Sequence, residues 1–184
     1  MADEPEKKPA EKAPPGPDPL AAAVEAPALE RLAAAFGDAV QEQRFWAATP
    51  IVRIARERLL DALRFLRDDE DCRYDHLSTL FATHFPERAD TPLEVTYCLY
   101  STKYRRWLTV KTWTAEDLPV PTASGLWPIA NWNEREAYDL VGVRFAGHPD
   151  LTRILLPDDW NGHPLRRDYP LEGNPGDHKI YRKE

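Results

Sequence analysis

Apolar positions along this chain follow two different periods. In ARERLLDALRFLRDD, Leu59, Leu60, Leu63 and Leu66 recur at i, i+1, i+4 and i+7, which places them on one face of a helix with arginine and aspartate opposite. Pro27 suits the first position of another helix, and Leu29, Leu32, Ala33 and Phe36 line one side of ALERLAAAF before Gly37 stops it. Other stretches alternate with a period of two. LEVTYCLYS sets Leu93, Val95, Tyr97 and Leu99 on one face. RWLTVKTWT sets Leu108 and Val110 against Trp107, Thr109, Lys111 and Trp113. The short TKYRR link between these two predicts an antiparallel hairpin. Asp38 to Trp46, Ile51 to Ile54, and the Thr- and aromatic-rich CRYDHLSTLFATHF read as further strands, and Leu126 to Leu140 reads as a third helix. Grouped strands with few helices indicate an α+β fold over residues 28–143: a small mixed or antiparallel sheet with helices packed on one face.

The pattern fails at both ends. Residues 1–27 carry seven prolines among Ala, Glu and Lys, too little apolar area to offset the entropy of ordering, and read as a disordered tail. The same stretch lacks the apolar segment of a secretory signal. Residues 144–184 contain five prolines and no sustained period, yet they are rich in Leu, Trp and Tyr. Seven Lys/Arg there balance seven Asp/Glu. TRILL (152–156) is the one stretch there with the look of local regularity. A segment of this length with no structure of its own inside a compact domain is improbable, so the reading is an extended C-terminal arm that lies on another protein.

Charge and composition narrow the function. A net charge of −7 disfavours a non-specific nucleic-acid binder, so KYRRW (103–107) reads as a solvated hairpin turn. No run of 18 apolar residues exists to span a bilayer. Cys72 and Cys98 have no metal spacing and read as two reduced thiols. The acids at Asp68 to Asp71 read as a solvated run, and Asp158-Asp159 after Pro157 as a turn cap. His148, His163 and His178 are spaced by 15 residues, which matches no compact ligand motif. Two of them open a Gly-His-Pro repeat, in which Gly permits a bend, Pro fixes the exit and His caps a backbone group. A stand-alone metalloenzyme is therefore the weakest reading. No nucleophile motif, P-loop, GxGxxG or cysteine cluster is present. On the third helix Glu136 and Asp139 are i, i+3, and Arg135 and Asp139 are i, i+4, so ion pairing is expected there. The residues read as a binding chain, with Trp160, Tyr169, Arg166 and Arg167 as the types that anchor interfaces.

The run WPIANWNEREAYDLVGVRFAGHPDLTRILLPDDWNGHPLRRDYPL (127–171) resembles the signature region of the C subunits of the proton-pumping NADH:quinone oxidoreductases, respiratory complex I. RLLDALRFLRDDEDCRYDHLSTL upstream is similar to the same family, so the resemblance covers residues 28–172. Val141 stands where the family often has an aromatic, and Arg167 where lysine is usual. The resemblance implies a non-catalytic subunit of the peripheral arm, on the cytoplasmic side and joined to the membrane only through the complex. It implies no cofactor on this chain, with FMN, iron–sulfur clusters and quinone on partner subunits. The expected partners are the quinone-site subunit, along which the C-terminal segment wraps, and other peripheral-arm subunits. The implied interface comprises Trp132, Glu134, Arg135, Glu136 and Asp139 on the helix. On the arm it comprises His148, Pro149, Trp160, His163, Arg166, Arg167, Asp168 and Tyr169. The corresponding subunit of a ferredoxin-linked complex or a membrane-bound hydrogenase is the alternative.

Overall fold

Both periods reappear as elements in a computed structural model, which describes residues 27–47 and 49–174. In chain order they are α1 (Pro27–Phe36), β1 (Val40–Trp46), β2 (Thr49–Ile54), α2 (Leu59–Asp68), β3 (His76–His84), β4 (Leu93–Ser101), β5 (Arg106–Thr114), β6 (Val120–Pro121), α3 (Ala130–Val141) and β7 (Phe145–Ala146). Five strands form one sheet in the order β1-β2-β5-β4-β3. The hairpin β4–β5 is antiparallel, pairing Leu99 with Leu108 and Tyr97 with Val110, as the short link predicts. β5 returns beside β2 in parallel. That geometry needs a long crossover, and α2 with the β3–β4 hairpin supplies it. The sheet is therefore mixed.

Register decides which side is core. Val52, Ile54, Leu77, Leu80, Leu93, Val95, Tyr97, Leu99, Leu108 and Val110 all turn to one face and are buried. Leu29 and Leu32 of α1 join them in the same cluster, with Leu59, Leu63 and Leu66 of α2 and Ala130, Ala137 and Val141 of α3. Each fully buried leucine contributes roughly 1.5–3 kcal/mol, so this inner layer holds the fold together. α3 also covers the outer edge of β3: in the amide orientation that satisfies both its polar atoms, Asn133 accepts the Leu80 N–H at 2.9 Å. Helix cover of this kind blunts an edge strand. Among the described residues, the helices lie on this side of the sheet. On the opposite face Glu94 sits between Arg53 (2.8 Å) and Lys111 (2.7 Å), and Arg53 also reaches Glu42 at 2.9 Å. Trp46, Phe81 and Trp107 stand exposed on that face.

Several boundaries move for local reasons. Residues 56–58 form a 3-10 turn, so α2 proper begins at Leu59. Leu126 to Ile129, which contains Pro128, is a turn, so α3 begins at Ala130. The acidic run after α2 is not simply solvated. Arg31 of α1 pairs with Asp69 and with Asp71 (2.7 Å), tying the two helices together. β6 and β7 pair in parallel, and Phe145 is buried in the core, so packing continues past residue 143. The tail reading for residues 1–26 and the reading of His178 fall outside the described residues.

Candidate partner interface

α3 ends at Gly142, whose φ of +90° is open to glycine at little cost. Its N–H donates to the Ala137 and Tyr138 carbonyls, closing the helix. The chain then reverses, with further corners at Gly147 (φ +79°) and Gly162 (φ +97°). From His148 to Asn174 there is neither helix nor strand. This strap lies back on α3 rather than leaving the domain.

Asp139 is the centre of that contact. It is fully buried. Its Oδ2 accepts three successive backbone N–H groups, from Ile154 (3.0 Å), Leu155 (2.8 Å) and Leu156 (2.9 Å). Arg153 Nη1 donates to Oδ1 at 2.7 Å. Burial alone would raise this carboxyl's pKa, but the three N–H groups and the guanidinium outweigh it and hold the pKa below the ordinary value. Arg153 spends its remaining donors on the Trp160 and Gly162 carbonyls, at 3.1 and 3.3 Å. Further along, His163 Nδ1 meets the Asp139 carbonyl at 2.8 Å and the Leu165 N–H donates to Leu140 at 2.9 Å. The Arg167 N–H donates to His84 Nδ1 at 3.3 Å.

Glu134, five residues earlier on α3, is also fully buried. The Ala123 N–H donates to Oε1 at 2.6 Å, and the Thr122 hydroxyl lies 2.6 Å from Oε2. No arginine or lysine among the described residues pairs with it. Burial therefore prevails over those two hydrogen bonds, and its pKa is pushed up to about 7. His148 approaches to 3.9 Å. Its Nδ1 accepts the Asp150 N–H at 3.1 Å, and its Nε2 faces the Asn131 carbonyl at 3.1 Å. Both Gly-His-Pro steps are thus corners in which histidine bonds backbone, as the spacing implied.

The remaining expected interface residues divide by exposure. Trp132, Glu136, Pro149, Arg167 and Asp168 stand at the surface. Arg135 does not pair with Asp139. It donates to the Thr152 carbonyl (3.1 Å) and to the Arg153 carbonyl (2.9 Å), and it stacks over Trp132. Trp160 and Tyr169 are half-buried against this chain. Arg166 is held by Glu116 and lies 3.4 Å from Asp168. Two expectations are corrected outright. Glu134 and Asp139 face inward with no exposed surface, and the contacts they make are within this chain. The i, i+4 pair fails because the returning strap brings Arg153 to Asp139 instead. Sequence reasoning missed Arg153, and it missed Leu155, Leu165 and Leu171, which the strap leaves exposed. Apolar residues without a period in a polar run were the signal that could have found them.

Fold and strap together define a class: a small α+β domain with a proline-stiffened C-terminal strap folded back on its last helix. The profile of the family described as "Respiratory-chain NADH dehydrogenase, 30 Kd subunit" matches residues 52–175, more than half of the chain, and the chain belongs to that family. It is 45% identical over 145 residues to the NADH-quinone oxidoreductase C subunit of Novosphingobium aromaticivorans, covering 79% of this chain and 46% of that protein. It is 44% identical to the same-named subunit of Roseiflexus sp. (strain RS-1), covering 78% and 82%. The chain thus spans about half the length of the first relative and most of the second. Among solved structures, a trypsin-resistant fragment of Nqo5 superposes with a TM-score of 0.57 at 27% identity, covering 67% of this chain and 99% of that one. A chain of the membrane-bound sulfane sulfur reductase, an archaeal respiratory membrane complex, gives 0.65 at 20% identity over 78% of this chain and 84% of that one, which speaks to the fold alone.

Proposed function

We propose that this chain is a non-catalytic subunit of the peripheral arm of an NADH:quinone oxidoreductase, held at the cytoplasmic face of the membrane through the complex. It docks onto the subunit that carries the quinone site and so supports electron transfer from NADH to quinone coupled to proton translocation. FMN, the iron–sulfur clusters and quinone lie on other subunits. The family match supports the assembly. The observation that carries the docking role is the strap, pinned from behind by Asp139 while Leu155 and Leu165 stand 61% and 62% exposed and Leu171 fully so. Exposed leucines on a segment already ordered by internal bonds suit a partner surface, because little entropy remains to be lost on binding.

The test is purification of tagged chain from native membranes. A flavin-bearing NADH module and NADH:quinone activity should co-purify, and the isolated chain should show no turnover. Recovery with ferredoxin-linked or hydrogenase subunits in place of that module would move the chain to the related machine.

A further inference from the structure

A groove of about 790 Å³ runs between α2 and the 122–132 turn, within the size range of ligand clefts. Leu60 and Leu126 form apolar wall, Trp132 and Pro149 stand at the mouth, and Arg64 and Arg67 project from α2. No Asp or Glu is among its lining residues, in a chain of net charge −7. The carboxyl behind the wall, that of Glu134, is buried and committed to Thr122 and Ala123. Arg67 is braced by Asp68 (2.6 Å) and by the Leu126 carbonyl (3.1 Å), so its guanidinium is fixed before anything binds. Arg64 is half-exposed, and its ion contact, Asp61 at 3.6 Å, is a solvated pair worth little. Trp132 is 56% exposed, yet Arg135 stacks on it and sets its orientation. Arg67 is chelated by Asp68 through Nε and Nη2, so the less firmly paired Arg64 is the groove's main cation, beside an oriented indole and an apolar wall, open to solvent.

We propose that this groove receives a segment of a partner subunit that carries carboxylates beside an apolar side chain. The carboxylates meet Arg64, and the apolar group lies against Trp132 and Leu126. Charge complementarity selects the occupant. A second copy of this chain through a two-fold would bring the same arginines toward one another. The exposed mouth fits a length of chain better than an enclosed small molecule. This proposal rests on the peripheral-subunit reading above.

The experiment uses the complex assembled in its native membrane. Arg64→Glu should lower recovery of this chain with its partner subunits about tenfold. Arg58→Glu, a reversal at an equally exposed arginine outside the groove, should leave it unchanged, and both variants should melt like wild type. Equal recovery of the two variants overturns the proposal. A photo-crosslinking residue in place of Trp132 should attach to a peptide of another subunit with an Asp or Glu near the attachment point. Attachment to lipid, to this chain's own residues 1–26, or to nothing overturns it. Failure of wild-type chain to co-purify with any NADH dehydrogenase subunit overturns the underlying reading as well, so the two failures are distinguishable.

Discussion

Two carboxylates five residues apart on one helix meet the same burial with opposite results. Asp139 has three N–H donors and a guanidinium, so it stays charged. Glu134 has one N–H and a hydroxyl, so burial raises it to about 7 from an ordinary 4.5. A carboxyl with a raised folded pKa binds more protons folded than unfolded between those values. Its contribution to stability is full below the unfolded pKa and is lost as pH rises through about 7. Asp139 runs the other way: its contribution is present above the unfolded pKa and is lost in acid. Glu134→Gln keeps an acceptor for Ala123 N–H and an amide for Thr122, and it carries no charge to desolvate. It should match wild type at pH 4 and exceed it at pH 8, by an amount on the order of 3 kcal/mol. Urea denaturation at both pH values would show this, and equal stability of the two proteins at pH 8 would refute it. Nothing in the sequence separates the two acids, because ERE and YD look alike in a helical pattern. Their difference comes from Arg153 and the 154–156 backbone, which are remote until the chain reverses.

Elements with a clear period were legible, and those held by a reversal were not. α2 and the β4–β5 hairpin follow directly from leucines at helical spacing and from alternation. β6 and β7 are two residues each and have no period to read, and the parallel β2–β5 pairing is a contact between strands far apart in the chain. The C-terminal segment reads as extended because it lacks a period; its backbone holds neither helix nor strand but a succession of turns, closed at Trp160, Arg166, Tyr169 and Gly173. That absence could not say against what the segment lies. Gly142 is where the two possibilities part. A Cβ there would come within 2.7 Å of the His163 ring, and the φ of +90° is unfavourable to any side chain. Gly142→Ala should therefore cost about 1–3 kcal/mol, and more rapid proteolysis of the strap should accompany the loss. A variant whose melting temperature and strap cleavage both equal wild type would show that the corner tolerates a side chain.

At the scale of the molecule, the question is what the strap does for the domain and what the domain does for the strap. The buried apolar core ends at Phe145, and no strap residue is fully buried in it. Leu151 packs partly buried against the core; the other links of the strap to the domain are polar, with Asp139 taking the largest share and Arg135 the next. Removal of the strap would take away the three N–H donors and the guanidinium of Arg153 and open that carboxylate to water. A chain ending at Asp150 should keep its sheet, since the five sheet strands and three helices precede that point. The sharp consequence lies in the coupling. In the full chain Asp139→Asn replaces an acceptor facing Arg153 with an amide and weakens the bonds to 154–156, at a cost of several kcal/mol. In the chain ending at Asp150 those partners are absent, so the same change should be close to neutral. A double-mutant cycle from urea unfolding measures this directly. A coupling energy of about 2 kcal/mol or more makes Asp139 the point through which domain and strap stabilise each other. Additive effects would mean that the strap is held by its other contacts, at Leu140, His84 and Glu116.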